Sequence, residues 1–330
     1  MREFDYVRPA DVQTALREGS RPDTRFLAGG TTLLDLMKCG VERPGRIVDI
    51  SRLSGLDTID VDERSIRIGG LAKMSQVADD ARVRDAAPAV SEALWRAASA
   101  QLRNMATMGG NLMQRTRCSY FRDPAAYPAC NKRNPGSGCA AMDGVNRNHA
   151  VLGTSESCIA ISPGDLGVSL VAFDAQIHVR GSDARTIRAD DFFRLPGDRP
   201  DLDNALLPGE MIVGVEIPIT AALKRSHYLK VRDRSSYEFA AASAAAGLEL
   251  EPDGRTIREA RVALGGVATK PWRALAVERA LAGKPLNESA IRAAATLAAE
   301  GAQARAHNAY KILLAPKVVA RALMTAGGLT

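Results

Sequence analysis

Four of the five cysteines fall in one stretch of chain, Cys118, Cys130, Cys139 and Cys158, with the spacing C-x11-C-x8-C-x18-C. Four thiolates from one region suit three chemistries. A structural zinc site usually draws on a short C-x2–4-C knuckle, which this stretch lacks. Disulfides need an oxidising compartment, and the start Met1-Arg2-Glu3-Phe4-Asp5-Tyr6 has no apolar h-region of the kind that directs secretion. An iron–sulfur cluster needs converging thiolates and backbone N–H donors to the sulfurs. The glycines of Pro135-Gly136-Ser137-Gly138-Cys139 let the backbone wrap closely enough to supply those donors. Four ordinary buried thiols are the bland reading, and their clustering where apolar periodicity is absent speaks against it. Spacing alone leaves cluster and zinc equally open. Charge favours an anionic group: residues 115–149 carry Arg115, Arg117, Arg122, Lys132, Arg133 and Arg147 against Asp123 and Asp143 only. A basic shell stabilises an anionic cluster and raises its reduction potential.

Two glycine turns carry a second chemistry. Gly29-Gly30-Thr31-Thr32 follows the apolar run Phe26-Leu27-Ala28 and opens a helical pattern at Leu33. Glycine permits positive φ and close approach to a ligand, while exposed N–H groups and threonine hydroxyls donate to an anion. Neither the G-x-G-x-x-G fingerprint nor a P-loop is present. Thr107-Met108-Gly109-Gly110-Asn111 repeats the same chemistry further on, and two such turns could clasp a pyrophosphate from both sides. Either turn alone is more simply a tight turn.

The elements that must position these residues alternate at first. A short helix carries Val12, Ala15 and Leu16; strands are expected at 26–28 and 46–50, with a helix over 33–38 between them. A hairpin over 58–69 turns at Asp62-Glu63-Arg64, and helices follow over 75–83 and 88–100, the second with Pro88 in its first turn. From Arg115 to His149 no helix or strand template fits, and a structureless run of that length inside a compact domain is usually functional. Order returns with a helix over 166–175 and strands over 176–179 and 211–217, and 219–225 reads as a linker. Beyond it the pattern predicts strands near 228–231, 240–250 and 261–264, then helices over 272–282, 287–301 and 309–326. The fold class is α+β, with domains at 1–220 (subdomains about 1–55 and 56–220, the cysteine loop at 112–160) and 221–330.

With 46% hydrophobic and 25% charged residues among 330, the composition is that of a globular protein rather than a disordered chain. The net charge of +6 is too diffuse to suggest nucleic acid, and no run of eighteen apolar residues predicts a membrane helix. His149, His178, His227 and His307 are scattered and read as structural or surface residues. Cys39 reads as an ordinary thiol.

Over essentially its whole length the sequence resembles the FAD-binding medium subunits of molybdenum hydroxylases, the group with xanthine and carbon monoxide dehydrogenases. The family's two flavin-pyrophosphate loops correspond to Ala28-Gly29-Gly30-Thr31 and to Thr107-Met108-Gly109-Gly110-Asn111. Within the family it is most similar to the three-subunit bacterial periplasmic aldehyde oxidoreductases. The matching segments are Gln114-Arg115-Thr116-Arg117-Cys118, Cys130-Asn131-Lys132-Arg133, Pro135-Gly136-Ser137-Gly138-Cys139 and Lys230-Val231-Arg232-Asp233-Arg234.

The resemblance implies an FAD-binding domain of the PCMH type, built of two α/β subdomains. A smaller C-terminal domain with a three-stranded antiparallel sheet and three helices follows it. It implies a [4Fe–4S] cluster on Cys118, Cys130, Cys139 and Cys158, and FAD held by Leu27, Ala28, Gly29, Gly30, Thr31, Thr32 and Leu33 with Thr107, Gly109, Gly110 and Asn111. Asp165, Ile212 and Lys230 are implied flavin neighbours. On their own patterns Asp165 reads as a helix N-cap, Ile212 as core and Lys230 as a solvated edge charge. The implied partners are a molybdenum-cofactor large subunit and a [2Fe–2S] small subunit in a heterotrimer, and an external acceptor such as a ferredoxin. No catalytic acid, base or nucleophile is expected in this chain. The run Glu238-Phe239-Ala240-Ala241-Ala242 lacks the lysine of NAD-using xanthine dehydrogenases, so NAD reduction is not expected. The implied location is the cytoplasm, or the periplasm if the chain is exported with a partner bearing a twin-arginine signal. The rival readings are a medium subunit of another molybdenum hydroxylase, acting on xanthine or an aromatic substrate, a self-standing flavin oxidase, and a zinc-stabilised module without flavin.

Overall fold

The computed structural model describes residues 1–329 and builds three sheets. The first is parallel: β1 (Asp5–Val7), β2 (Thr24–Leu27) and β3 (Arg46–Asp49) lie in the order β1-β3-β2, with helices Val12–Gly19 and Leu33–Lys38 as the crossovers. The first glycine turn leaves β2 at its carboxyl end, where open parallel sheets bind ligands.

The second sheet is antiparallel. It contains β4 (Ile59–Val61), β5 (Ser65–Gly69), β6 (Gln176–Arg180), β7 (Ala184–Arg188) and β8 (Met211–Pro218), in the order β4-β5-β8-β6-β7. Ile66, Ile68, Ile177, Val179, Val215 and Ile217 face its core together with the buried helix Leu166–Ala172. Alternation of apolar and polar residues in β5 and β8 reflects this one-sided burial.

The third sheet joins β9 (Ser226–Val231), β10 (Ala242–Leu250), β11 (Ile257–Gly265) and β12 (Trp272–Arg273) in the order β12-β11-β10-β9, all antiparallel. Helices Leu275–Leu281, Glu288–Ala295 and Tyr310–Gly327 cover it. Three strands are expected from the sequence and a fourth is present: Trp272 pairs with Leu264 before the helix begins at Leu275.

Other departures trace to single residues. The helix expected over 75–83 is two helices, Met74–Asp79 and Ala81–Ala86, meeting at Asp80, whose carboxylate accepts from Arg82 N at 2.9 Å. The helix expected over 88–100 stops at Arg96; Ala98 takes φ 48°, and Ser99 caps a new helix, Ala100–Met105. The helix from Leu166 ends at Ala172, and Asp174 turns at φ 52°. The helix expected over 287–301 is α-helical only to Ala295 and closes as a 3-10 turn to Ala299. Residues 219–225 are no free linker, because helix Ala221–Lys224 buries Ala222 and Leu223 fully. Among the described residues no helix is long and apolar enough to cross a membrane.

Candidate functional site: two cavities

The two glycine turns meet. A Cβ on Gly29 would run into the Met105 carbonyl oxygen and stand 2.8 Å from its carbon, so only glycine lets these backbones touch. Gly30 adopts φ 73°, a conformation that favours glycine. The second turn is the start of helix Met108–Leu112, whose N-cap Thr107 accepts from Gly110 N at 3.1 Å. Such a cap contributes about 1 kcal/mol. Met108 N and Gly109 N donate to Ala72 O (3.0 Å) and Gly70 O (2.8 Å), which docks the turn on the end of β5.

Between them lies a cavity of about 730 Å³, within the usual size of ligand sites. Ala28, Gly29, Gly30, Thr31, Thr32, Leu33, Thr107, Gly109, Gly110 and Ile212 line it, with Arg115 and Asp203 on a further wall. Four other residues implied as flavin neighbours are not in this lining: Leu27, Asn111, Asp165 and Lys230. Leu27 ends β2 behind the turn, and Asn111 points Nδ2 at Met74 Sδ, leaving its buried Oδ1 without a partner.

Asp165 does not cap its helix. Its own backbone is helical, and its carboxylate instead accepts from Tyr228 Oη at 2.6 Å and Lys230 Nζ at 2.8 Å. Lys230 is no edge charge either, because its side chain is 1% exposed and also donates to Arg96 O at 3.1 Å. Burial pushes the Asp165 carboxyl up, opposed by Lys230 and Tyr228. This ion pair joins the second sheet's helical layer to β9.

All four clustered cysteines line one small second cavity. Cys130 and Cys139 face each other across an antiparallel bridge. It closes through Asn131 N to Gly138 O (2.7 Å) and Gly138 N to Asn131 Oδ1 (2.8 Å), with Gly136 and Gly138 at φ 87° and 105°. Cys118 begins the single helical turn Ser119–Arg122, and Cys158 follows a tight turn at Ser155. Backbone N–H groups reach the sulfurs: those of Phe121 and Tyr120 at Cys118, Ala141 and Met142 at Cys139, and Ala160 at Cys158 (3.4 Å). Burial pushes the Cys118 thiol up to about 12 and raises those of Cys139 and Cys158. Lys132 opposes the rise at Cys158. Among the described residues no three Cys, His, Asp or Glu side chains are grouped as for a metal ion. Cys39 lies outside the cavity, 3.7 Å from Arg122 Nη2.

The basic surplus of this loop is spent inside the molecule. Arg115 pairs with Glu42 (2.9 Å) and Asp203 (2.8 Å), and Lys132 with Asp203 (2.5 Å). Arg117 and Arg122 share Asp35, and Arg147 holds Asp233. Arg133 donates to the carbonyls of Tyr120 and Phe121 (2.6 Å each) and of Tyr127. Four carboxylates from outside the loop thus hold five of its six cations, and carbonyls hold the sixth, so these cations form no free patch.

Among the histidines one lies at the cysteine cavity. His149 is buried, with Nε2 3.2 Å from Cys118 Sγ. Its position at the end of the cysteine loop, just before the apolar run Ala150-Val151-Leu152, is the one signal that marks it.

Residues 2–220 match the FAD binding domain in molybdopterin dehydrogenase, and residues 227–326 the CO dehydrogenase flavoprotein C-terminal domain. The chain is 45% identical over 330 residues to the aldehyde oxidoreductase FAD-binding subunit PaoB of Escherichia coli (strain K12), covering 99% of each. It is 29% identical over 293 residues to the glyceraldehyde dehydrogenase medium chain of Sulfolobus acidocaldarius, covering 88% of this chain and 85% of that one. A chain of carbon monoxide dehydrogenase from Hydrogenophaga pseudoflava superposes with a TM-score of 0.76 at 25% identity, covering 99% and 98%. The flavin-free module is thereby set aside. This chain belongs to the FAD-binding medium subunits of the molybdenum hydroxylases, and is one subunit of an oxidoreductase of that type.

Proposed function

We propose that this chain is the FAD- and [4Fe–4S]-carrying electron-transfer subunit of a molybdenum-dependent aldehyde oxidoreductase. It would receive electrons from a [2Fe–2S] small subunit and deliver them to an external acceptor, while a molybdenum-cofactor large subunit oxidises the aldehyde. The observation that carries the reading is the pair of cavities, one lined by both glycine turns and the other by all four cysteines. The full-length likeness to an aldehyde oxidoreductase subunit supports the substrate class.

Ala28 to Leu33, Thr107, Gly109 and Gly110 would hold FAD with Ile212 beside it; the first turn would offer its backbone N–H groups to the diphosphate, since those of Met108, Gly109, Gly110 and Asn111 are bonded within the protein. Asp165 and Lys230 would act through the domain junction. Four thiols around one cavity, those of Cys130 and Cys158 buried and those of Cys118 and Cys139 partly so, with N–H donors at three of them, fit an iron–sulfur group, whose binding removes the thiol protons. When bound, flavin takes two electrons and releases them singly or together, and this chain supplies binding and electrostatics. No residue here is assigned to acceptor docking, because the loop's cations are already paired.

The test is metal and flavin content of the anaerobically purified complex. Cys130→Ser is expected to remove the iron attributable to this chain while flavin stays. A wild-type complex holding zinc here, or no iron beyond that of the small subunit, would overturn the cluster; a colourless one would overturn the reading entirely.

A further inference from the structure

His149 is held more firmly than a space-filling residue needs to be. Its backbone N donates to Asn146 O at 3.0 Å, and Asn308 Nδ2 donates to Ala150 O at 3.0 Å, fixing the chain on both sides of the ring. The imidazole packs obliquely on Tyr120, centroids 6.0 Å apart. That leaves one ring nitrogen, Nε2, 3.2 Å from Cys118 Sγ, and the other, Nδ1, buried with no partner.

The orphaned Nδ1 decides which way the bond to sulfur runs. A neutral imidazole carries its proton on one nitrogen only. With the proton on Nδ1, a buried N–H would lack an acceptor, an arrangement costing roughly 1–3 kcal/mol. With the proton on Nε2, the unpaired atom is only a lone pair and the N–H points at Cys118. A thiol sulfur accepts such a bond only weakly, whereas an anionic, ligating sulfur accepts it strongly.

We propose that His149 is a positioning residue for the group held by the four cysteines, donating Nε2–H to the Cys118 sulfur and so raising that group's reduction potential. The inference rests on the cluster reading above. A donor to a ligating sulfur withdraws charge and stabilises the more negative, reduced state. No electron or proton changes hands at His149; it only biases the equilibrium.

The experiment is a redox titration of the intact complex, followed by EPR under conditions that separate this signal from the small subunit's, with iron per chain counted in parallel. His149→Leu removes the donor, His149→Gln returns an N–H near the Nε2 position, and His149→Asn is too short to do so. The Leu and Asn variants are expected to show an about tenfold lower reduced-to-oxidised ratio at the wild-type midpoint, about 59 mV for one electron. Gln should stand near wild type. Equal potentials in all four proteins, or Gln falling as far as Asn, would overturn the proposal. Should the Leu variant lose its iron, the Gln–Asn pair carries the comparison alone. Absence of iron from wild type sinks the cluster reading instead, so the two failures are distinguishable.

Discussion

Replacing Gly29 with alanine perturbs the contact on which both glycine turns depend. The new methyl would stand 2.8 Å from the Met105 carbonyl carbon and closer still to its oxygen. Both belong to backbone fixed between helix Ala100–Met105 and the Thr107 cap, so neither side yields by a rotamer change. Relief requires the turns to separate. Overpacking of this kind costs about 1–3 kcal/mol. Since both turns line the larger cavity, the expected result is an about 5- to 150-fold weaker hold on FAD. Gly109→Ala is a graded comparison: its Cβ would lie 3.1 Å from Gly70 O and 3.4 Å from Ile212 Cβ, close but accommodable. Gly164→Ala is the control, having no neighbour within 4 Å and an expected effect within about 0.5 kcal/mol. The assay is the FAD dissociation constant from flavin fluorescence, with FAD per chain as a second measure. Unchanged FAD affinity in the Gly29 variant, or a larger loss in the Gly109 variant, refutes the reasoning.

Lys230→Met should cost about 3–5 kcal/mol in denaturant unfolding by stranding the Asp165 carboxylate, and Asp165→Asn in the same chain should recover much of it. FAD affinity should hold in both, since neither residue lines the cavity; a flavin loss without a stability loss would instead mark direct contact. Lys311 is fully buried against Gly266 O at 2.5 Å, and burial, then Arg147, brings its ammonium down to about 7. The unfolded chain therefore binds one more proton from about pH 7 up to its ordinary range near 10. Stability should rise with pH across that window, and Lys311→Met should flatten the rise; a slope that survives the substitution counts against the assignment.

Strands β2 and β3, the hairpin of β4 and β5 and most helices were legible because their apolar periodicity is local, whereas the three-residue β1 and the parallel pairing were not. The glycine turns were legible by composition, but their mutual contact was not, since Gly29 and Met105 are far apart in sequence. β7 escaped because Ala184-Arg185-Thr186-Ile187-Arg188 is a polar edge strand with a single buried residue, Ile187. Lys230 was misjudged, and the neighbour of His149 went unseen, for one reason: a charged or polar side chain announces its type but not its partner. Asp165 lies 65 residues from Lys230, and Cys118 lies 31 from His149. The basic loop was legible in count, but its pairing was not, because the carboxylates that meet it come from four separate places.

Asp203 has a consequence of its own. It forms part of the wall of the larger cavity, yet it also grips Lys132, which borders the cysteine cavity. Arg115 on its other side completes a short run of alternating charge from one chamber to the other. Between such half-buried charges a change at one end is only partly screened at the other. Energetic coupling of this kind is reciprocal. Were both chambers to hold the groups proposed for them, they would behave as the plates of one capacitor, and a charge placed in either would alter the work of placing one in its neighbour.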